Sequence, residues 1–205
     1  MNGGLSMRLA KCVLFSLLAS LAFAQSPNTL TKAEKSAGWQ SLFDGKSMSG
    51  WDSYNGGDWK VEKGAIVCTG AKPGWLGTSQ SFGDYQLKLE FLPENEKTNS
   101  GIFLRSQKEG QPHITGYELQ VWDFQPAGFH TGSLVGTAKA SPTKVKPGVW
   151  NQYDVLLHGD HIVVTLNGSK LLDIRDSKHA AGVIGFQCQK DNHIEFRNIK
   201  LLPKK

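Results

Sequence analysis

Residues 153–174 read YDVLLHGDHIVVTLNGSKLLDI. Tyr153 to Leu157, His161 to Leu166 and Ser169 to Ile174 are apolar, β-branched runs. His158-Gly159-Asp160 separates the first two, and Asn167-Gly168 the second pair. Asn-Gly between such runs is the strongest short hairpin signal, because a type I′ turn needs positive φ at both central residues. Strands joined by turns this tight are antiparallel.

The same pattern extends outward in both directions. Tyr85 to Leu92 (YQLKLEFL) alternates strictly, with Tyr85, Leu87, Leu89 and Phe91 on one face and Gln86, Lys88 and Glu90 on the other. That is the mark of a strand with one wet side. Trp59 to Glu62 and Ala65 to Cys68 flank the turn pair Lys63-Gly64. Gly38 to Phe43 runs into the turn Asp44-Gly45-Lys46, while Gly182 to Gln189 and Ile194 to Leu202 read as closing strands. No window shows a helical period. Strands arriving roughly every 10–12 residues predict an all-β antiparallel sandwich or jelly roll in a single domain over 38–205. The composition agrees. Across 205 residues, 23 Gly punctuate runs holding 10 Phe, 6 Trp and 4 Tyr, and 39% hydrophobic against 20% charged side chains excludes a disordered or collagen-like chain.

Residues 1–24 read as an export signal. Arg8 and Lys11 precede the apolar run Val13 to Ala22, too short to span a bilayer comfortably, and Ala22-Phe23-Ala24 is a cleavage site. Cleavage after Ala24 predicts a periplasmic or secreted protein with no membrane span. Residues 25–37 are polar and read as a flexible tether. The signal carries two positive charges and no negative ones, so its loss lowers the net charge from +5 to +3. Basic residues are scattered, and the one cluster is Lys204-Lys205, so nucleic acid is not an expected partner. Cys68 and Cys188 remain, and both a bridge and two buried thiols are open to them.

Chemistry concentrates between Asn99 and Asp123. Ile102 and Leu104 share one face, and Phe103 and Arg105 the other, with Gly101 leaving a gap. In Gly116 to Asp123 (GYELQVWD), Tyr117, Leu119 and Val121 share one face, and Glu118, Gln120 and Trp122 the other. A carboxylate, an amide and an indole in line are the composition of a sugar groove. They equally fit a solvated sheet face with cross-strand Arg–Glu pairing. His130 follows in the Gly-rich loop 125–136, and His193 is a second candidate. No local zinc spacing, nucleophile elbow, P-loop or dinucleotide fingerprint is present.

Several of these segments together resemble the 3-keto-disaccharide hydrolase domain family. They are Leu42-Phe43-Asp44-Gly45-Lys46 with Gly50-Trp51, Trp59-Lys60-Val61 with Gly64, Asn99 to Arg105, and Gly116 to Asp123. Trp150-Asn151-Gln152-Tyr153, Asn167-Gly168, Gly185-Phe186-Gln187 and Phe196-Arg197-Asn198-Ile199 follow in order. The resemblance implies a concanavalin A-like jelly-roll sandwich of two curved antiparallel sheets. It also implies action on sugars oxidised at C3, where the ketone acidifies the C2 proton, the C1 oxygen leaves by β-elimination and water adds back. On that footing Glu118, Asp123, His130 and His193 are the catalytic candidates, with Glu118 the better base. Arg105, Gln120, Trp122, Phe103 and Gln187 are candidates to hold the small carbohydrate substrate. A divalent metal ion is left open as an electrophile, and no cofactor is specified. Where the family often has an aromatic, residues 131–136 carry Val135, which implies a reshaped subsite. The alternative is a non-catalytic carbohydrate-binding module on the same sandwich, and after it an interaction or envelope domain.

Overall fold

The computed structural model describes Met1 and residues 26–204. Apart from Met1, the leader expected at 1–24, with its cut after Ala24, lies outside the described residues. The chain forms α1 (Lys32–Ser36), β1 (Gln40–Ser41), β2 (Trp51–Tyr54), β3 (Trp59–Glu62), β4 (Ala65–Cys68), β5 (Gly74–Thr78), β6 (Tyr85–Pro93) and β7 (Ser100–Ser106). Next come α2 (Pro112–Thr115), β8 (Tyr117–Val121), β9 (Asn151–His158), β10 (His161–Leu166), β11 (Ser169–Arg175), β12 (Val183–Cys188) and β13 (Ile194–Pro203).

These strands make two antiparallel sheets. The larger runs β11-β10-β9-β6-β13-β4-β3 with β1 also paired to β13, and the smaller runs β2-β5-β12-β7-β8. This is the expected jelly-roll sandwich. The hairpins sit where their turn residues place them. Lys63 and Gly64 have φ of 50° and 79°, and Asn167 and Gly168 have 49° and 83°, the paired positive values of type I′ turns. β6 alternates buried and half-buried along its whole length, so the larger sheet has one wet face. β7 and β8 are buried at every position, so the smaller sheet is covered on both sides there.

The core lies between the sheets. Phe186 of β12 stacks on Phe196 of β13 at 4.1 Å between ring centroids. Tyr153 of β9 donates through its hydroxyl to the Gln120 carbonyl of β8 at 2.8 Å. Cys68 of β4 and Cys188 of β12 form a disulfide across the sandwich, which decides between the two states the sequence left open. No helix among the described residues is long and apolar enough to cross a membrane.

The tether expected at 25–37 is docked from Asn28 onward. The Asn28 and Asn198 side chains each accept from the other's backbone N–H, and Asn28 Nδ2 donates to the Gly64 carbonyl at 2.8 Å. Thr31 and Glu34 form a capping box that starts α1. Glu34 also pairs with Lys200 of β13 at 3.0 Å. Burial raises the Glu34 pKa, but the Thr31 N–H and Lys200 outweigh it and bring the carboxyl down to about 2.

The disulfide closes a loop of 120 residues. Chain-entropy reasoning gives such a bridge about 4–5 kcal/mol. The double variant Cys68→Ala/Cys188→Ala is expected to lose stability of that order in urea unfolding. A loss below about 1 kcal/mol would show that packing at Phe186 and Phe196 holds the sheets without the bridge.

Candidate functional site

β8 decides where the acidic candidates go. Alternate strand residues point to opposite faces. Leu119 and Val121 lie in the core, so Glu118 and Gln120 project from the outer face of the smaller sheet. Outward is not wet here: Glu118 is 6% exposed and Gln120 4%. On one side α2 packs over β7 and β8, held where the Ser106 hydroxyl donates to the Pro112 carbonyl at 2.8 Å. On the other, residues 132–135 run along the free edge of β8. The Gly132 N–H donates to the Gln120 carbonyl (3.0 Å), and the Gln120 N–H to the Ser133 carbonyl (2.9 Å). The Val135 N–H donates to the Glu118 carbonyl (2.9 Å). The Val135 departure from the family pattern therefore lies against the backbone of Glu118.

The gap at Gly101 is filled from within the sheet. A Cβ at Gly101 would stand 2.8 Å from Glu118 Oε1, so the Glu118 carboxyl fills the space. The same logic operates two strands away. A Cβ at Gly77 would meet Trp75 Cζ3 at 2.6 Å, and one at Gly185 would meet Trp75 Cε3 at 2.9 Å. The indole lies across these two glycines, which are register partners on β5 and β12. Tyr54 stacks on it at 4.3 Å, and Phe103 meets it edge-on at 5.8 Å. Trp75, Phe103 and Val183 form a small apolar cluster, joined by Tyr54, on the side of the sheet away from the main core.

Beside this cluster is a cleft of about 400 Å³, with Trp75, Phe103, Gln187 and Gln189 on one side and Gln111, Pro112 and His113 on the other. Glu118 borders the cleft through Gln187, whose side chain donates a hydrogen bond to its carboxylate. Burial raises the Glu118 pKa and the Gln187 bond opposes it, and the carboxyl ends at about 7. Burial wins because a single donor replaces only part of the lost hydration. A second depression of about 300 Å³ lies on the outer face of the larger sheet, among Glu34, Lys88, Glu90 and Lys200. Its charges are paired by Lys88–Asp154, Arg197–Glu90 and Lys200–Glu34, and it holds no stacked aromatic wall.

Of the residues singled out from sequence, Glu118, Phe103 and Gln187 are brought together. The others are not. Between the pairs Phe103–Gly185 and Ser106–Val183 the register slips by one residue, and Arg105 at that bulge has φ 53°. Its side chain is 1% exposed and makes four hydrogen bonds. Nε donates to the Gly83 carbonyl, Nη1 to those of Gly159 and His179, and Nη2 to Asp84 Oδ1 at 2.7 Å. Arg105 is therefore a structural tie: four of its five N–H donors are spent inside the fold, and burial keeps it from a sugar or enolate oxygen.

Asp123 lies an odd number of residues from Glu118. It accepts from the Val145 N–H at 3.1 Å and so anchors the following loop. His193 stands just before β13 of the larger sheet, 3.3 Å from Glu195, beside a separate hollow shared with Glu62 and Lys63. His130 is exposed and is not part of the cleft wall. Gln120 turns its amide oxygen back to the Val121 N–H at 3.1 Å, and Trp122 is half-buried just past the end of β8. Among the described residues no group of three or more His, Cys, Asp or Glu converges. Glu118, Asp123, His130 and His193 thus do not make a ligand set for the divalent ion left open by the resemblance.

Trp75, with Tyr54 stacked behind it, and His113 are the residues of the cleft that sequence reasoning missed. The first two hide in segments whose glycines read as turns. His113, on α2, gave no signal beyond being a histidine.

Residues 38–202 match the 3-keto-alpha-glucoside-1,2-lyase-like domain. The chain belongs to this family. A curated relative, the 3-keto-disaccharide hydrolase of Bacteroides thetaiotaomicron, is 26% identical over 66% of this chain and 58% of its own length. The chain thus spans less than two thirds of that relative. A candidate glycosyl hydrolase of known structure from Parabacteroides distasonis superposes with a TM-score of 0.76 at 26% identity, covering 88% of this chain and all of that one. The carbohydrate-binding module CBM66 from Bacillus subtilis shares the fold, with a TM-score of 0.57 at 16% identity over 74% of this chain and 94% of its own. In this 3-keto-alpha-glucoside-1,2-lyase-like domain the matched segment contains the whole cleft wall and Glu118.

The raised carboxyl has a consequence for stability. Glu118 holds its proton to about pH 7 when folded, against an ordinary 4.5. Between these values the native state binds more protons than the unfolded one, so its contribution to stability falls as pH rises and is lowest above 7. The difference approaches about 3 kcal/mol. Glu118→Gln, neutral throughout, is expected to gain on the parent protein by up to that amount in urea unfolding at pH 8 relative to pH 4.5. Parallel stability curves would show that the carboxyl is not desolvated.

Proposed function

We propose that this chain is an exported enzyme that cleaves glycosides bearing a ketone at C3. Glu118 carries the reading: it is a carboxyl buried beside an aromatic cleft and titrating at about 7, where a general base is most effective near neutral pH. Its carboxylate takes the C2 proton, which the neighbouring ketone has made acidic. The C2–H electron pair passes to the C3 oxygen as an enolate. It then returns to form the C1–C2 double bond as the C1–O bond breaks and the leaving oxygen takes up a proton. Water adding across that double bond completes a net hydrolysis, and without it the reaction ends as a lyase. His113, which also lines the cleft, is the group we assign to protonate the leaving oxygen. Phe103 and the edge of Trp75, which Tyr54 backs, provide the apolar part of the cleft wall, against which a sugar ring's C–H groups pack.

An ordinary glycosidase needs two carboxyls roughly 5–10 Å apart. Among the described residues, neither Asp123 nor Asp52 supplies that partner to Glu118. Asp123 is turned into its own loop, and Asp52 sits in the same register row at the far edge of the sheet. That is four strand spacings away, or about 19 Å. A single base suffices when a ketone supplies the acidity. A purely binding module would be served by the aromatic wall alone and gives no reason to bury a carboxyl beside it. Export is supported by the leader pattern and by the Cys68–Cys188 bridge, which persists in oxidising compartments.

The test is release of the leaving group from a panel of 3-keto-glucosides and 3-keto-disaccharides. Turnover is expected to rise with pH through about 7 and to fall roughly a thousandfold in Glu118→Gln. Binding of unoxidised sugars with no release from any 3-keto substrate, with or without divalent metal, would replace this reading with the binding module.

A further inference from the structure

Two polar atoms at the cleft are buried and have no partner: Trp75 Nε1 and Gln187 Oε1. Trp75 is 3% exposed and both residues line the cleft. They are also register partners on β5 and β12, so they stand side by side on the same face. Their orientations are fixed from outside. The six-membered edge of the indole lies against Gly77 and Gly185, which leaves the Nε1 edge on the opposite side of the ring system. Gln187 is set by Glu118, because an ionised carboxylate only accepts hydrogen bonds and the amide must present its nitrogen to it. The amide oxygen is then left over.

The pair consists of one donor and one acceptor, adjacent and desolvated. A hydroxyl matches both atoms at once, accepting from Trp75 and donating to Gln187. A carbonyl would leave Gln187 Oε1 unmatched, and an ammonium would leave Trp75 Nε1 unmatched. Leaving such a buried group unpaired costs about 1–3 kcal/mol. Gln187 also touches the base. When Glu118 faces the C2 proton, the hydroxyl nearest its amide partner is the one on the same carbon.

We propose that Trp75 and Gln187 read the C2 hydroxyl of the substrate, so that the enzyme requires a 2-hydroxy-3-keto sugar and discriminates against 2-deoxy and 2-amino counterparts. The inference rests on the function proposed above. It is not a demand of the chemistry, since elimination needs only a proton on C2. It places Trp75 and Gln187 as specificity residues, and it gives Gln187 a second task beyond its bond to Glu118.

The experiment compares a 3-keto-glucoside with its 2-deoxy analogue, using the full chain. Wild-type kcat/KM is expected to favour the 2-hydroxy substrate at least 100-fold, as sites built to bond a hydroxyl do. Trp75→Phe keeps an aromatic ring over the glycines and removes only the N–H donor and ring area. It is expected to shrink that ratio at least tenfold, a change that general damage to the site would not produce. Equal turnover of the two substrates by the wild type would overturn the inference and leave the function standing. If neither substrate turns over, the function fails. Calorimetric binding of a 1,5-anhydro 3-keto hexitol, which has no leaving group, and of its 2-deoxy form then decides the inference. Selective loss of the deoxy ligand sustains it, and equal binding or none by both overturns it.

Discussion

The stack of Phe186 on Phe196, with the Cys68–Cys188 bridge two residues further along β12, holds the smaller sheet against the larger one. Everything on the outer face follows from that contact. Strand residues alternate, so pinning Phe186 and Cys188 into the core points Gly185 and Gln187 outward without freedom to rotate. Gly185 is half of the floor under Trp75, and Gln187 is the partner of Glu118. The packing that stabilises the sandwich therefore also sets the positions of the cleft's polar groups, and β12 is the element through which the two are linked.

Much of the sandwich was legible because its signals are local. The alternation of Tyr85 to Leu92 and the pairs Lys63-Gly64 and Asn167-Gly168 each specify a strand or a turn without reference to the rest of the chain. β5 was illegible for the converse reason. Gly74-Trp75-Leu76-Gly77-Thr78 looks like a turn, yet Gly77 is there because an indole from its own strand lies on it. That is a tertiary fact with no sequence period. Arg105 was misplaced because the parity rule assumes no bulge, and a single extra residue in β7 turned its side chain away from the Phe103 face. Asp123 is different, since counting from Glu118 already puts it on the other face. The docked segment was also readable. Thr31 and Glu34 have the spacing of a capping box, though nothing local shows that Asn28 would reach Asn198.

Burial of Glu118 runs against the folding preference of the chain. A carboxyl with one hydrogen-bond donor and almost no solvent is a stability cost above its own pKa, and the neighbouring residues reinforce the cost. α2 and the 132–135 edge exclude water, and Gly101 gives the carboxyl a fitted recess without adding a donor. Local inconsistencies of this kind concentrate where a protein does chemistry. Arg105 makes the contrast. It is as deeply buried, but its guanidinium meets Asp84 and three carbonyls, so its charge is satisfied and it serves the fold.

Gln187 joins these two regimes. Its backbone belongs to a strand locked in the core, while its amide is shared between the Glu118 carboxyl and an open cleft. As long as Glu118 is ionised, the amide nitrogen must face the carboxylate and the cleft sees an acceptor. Once Glu118 has taken a proton it can donate as well as accept, and the constraint on the amide weakens. The polarity that the amide offers to the cleft is thus tied to the protonation state of Glu118. On the proposed function, the apolar wall of the cleft serves a sugar ring in either state. The acceptor that Gln187 presents is fixed only while Glu118 is ionised, so on the proposed function recognition is firmest when the carboxylate can remove a proton.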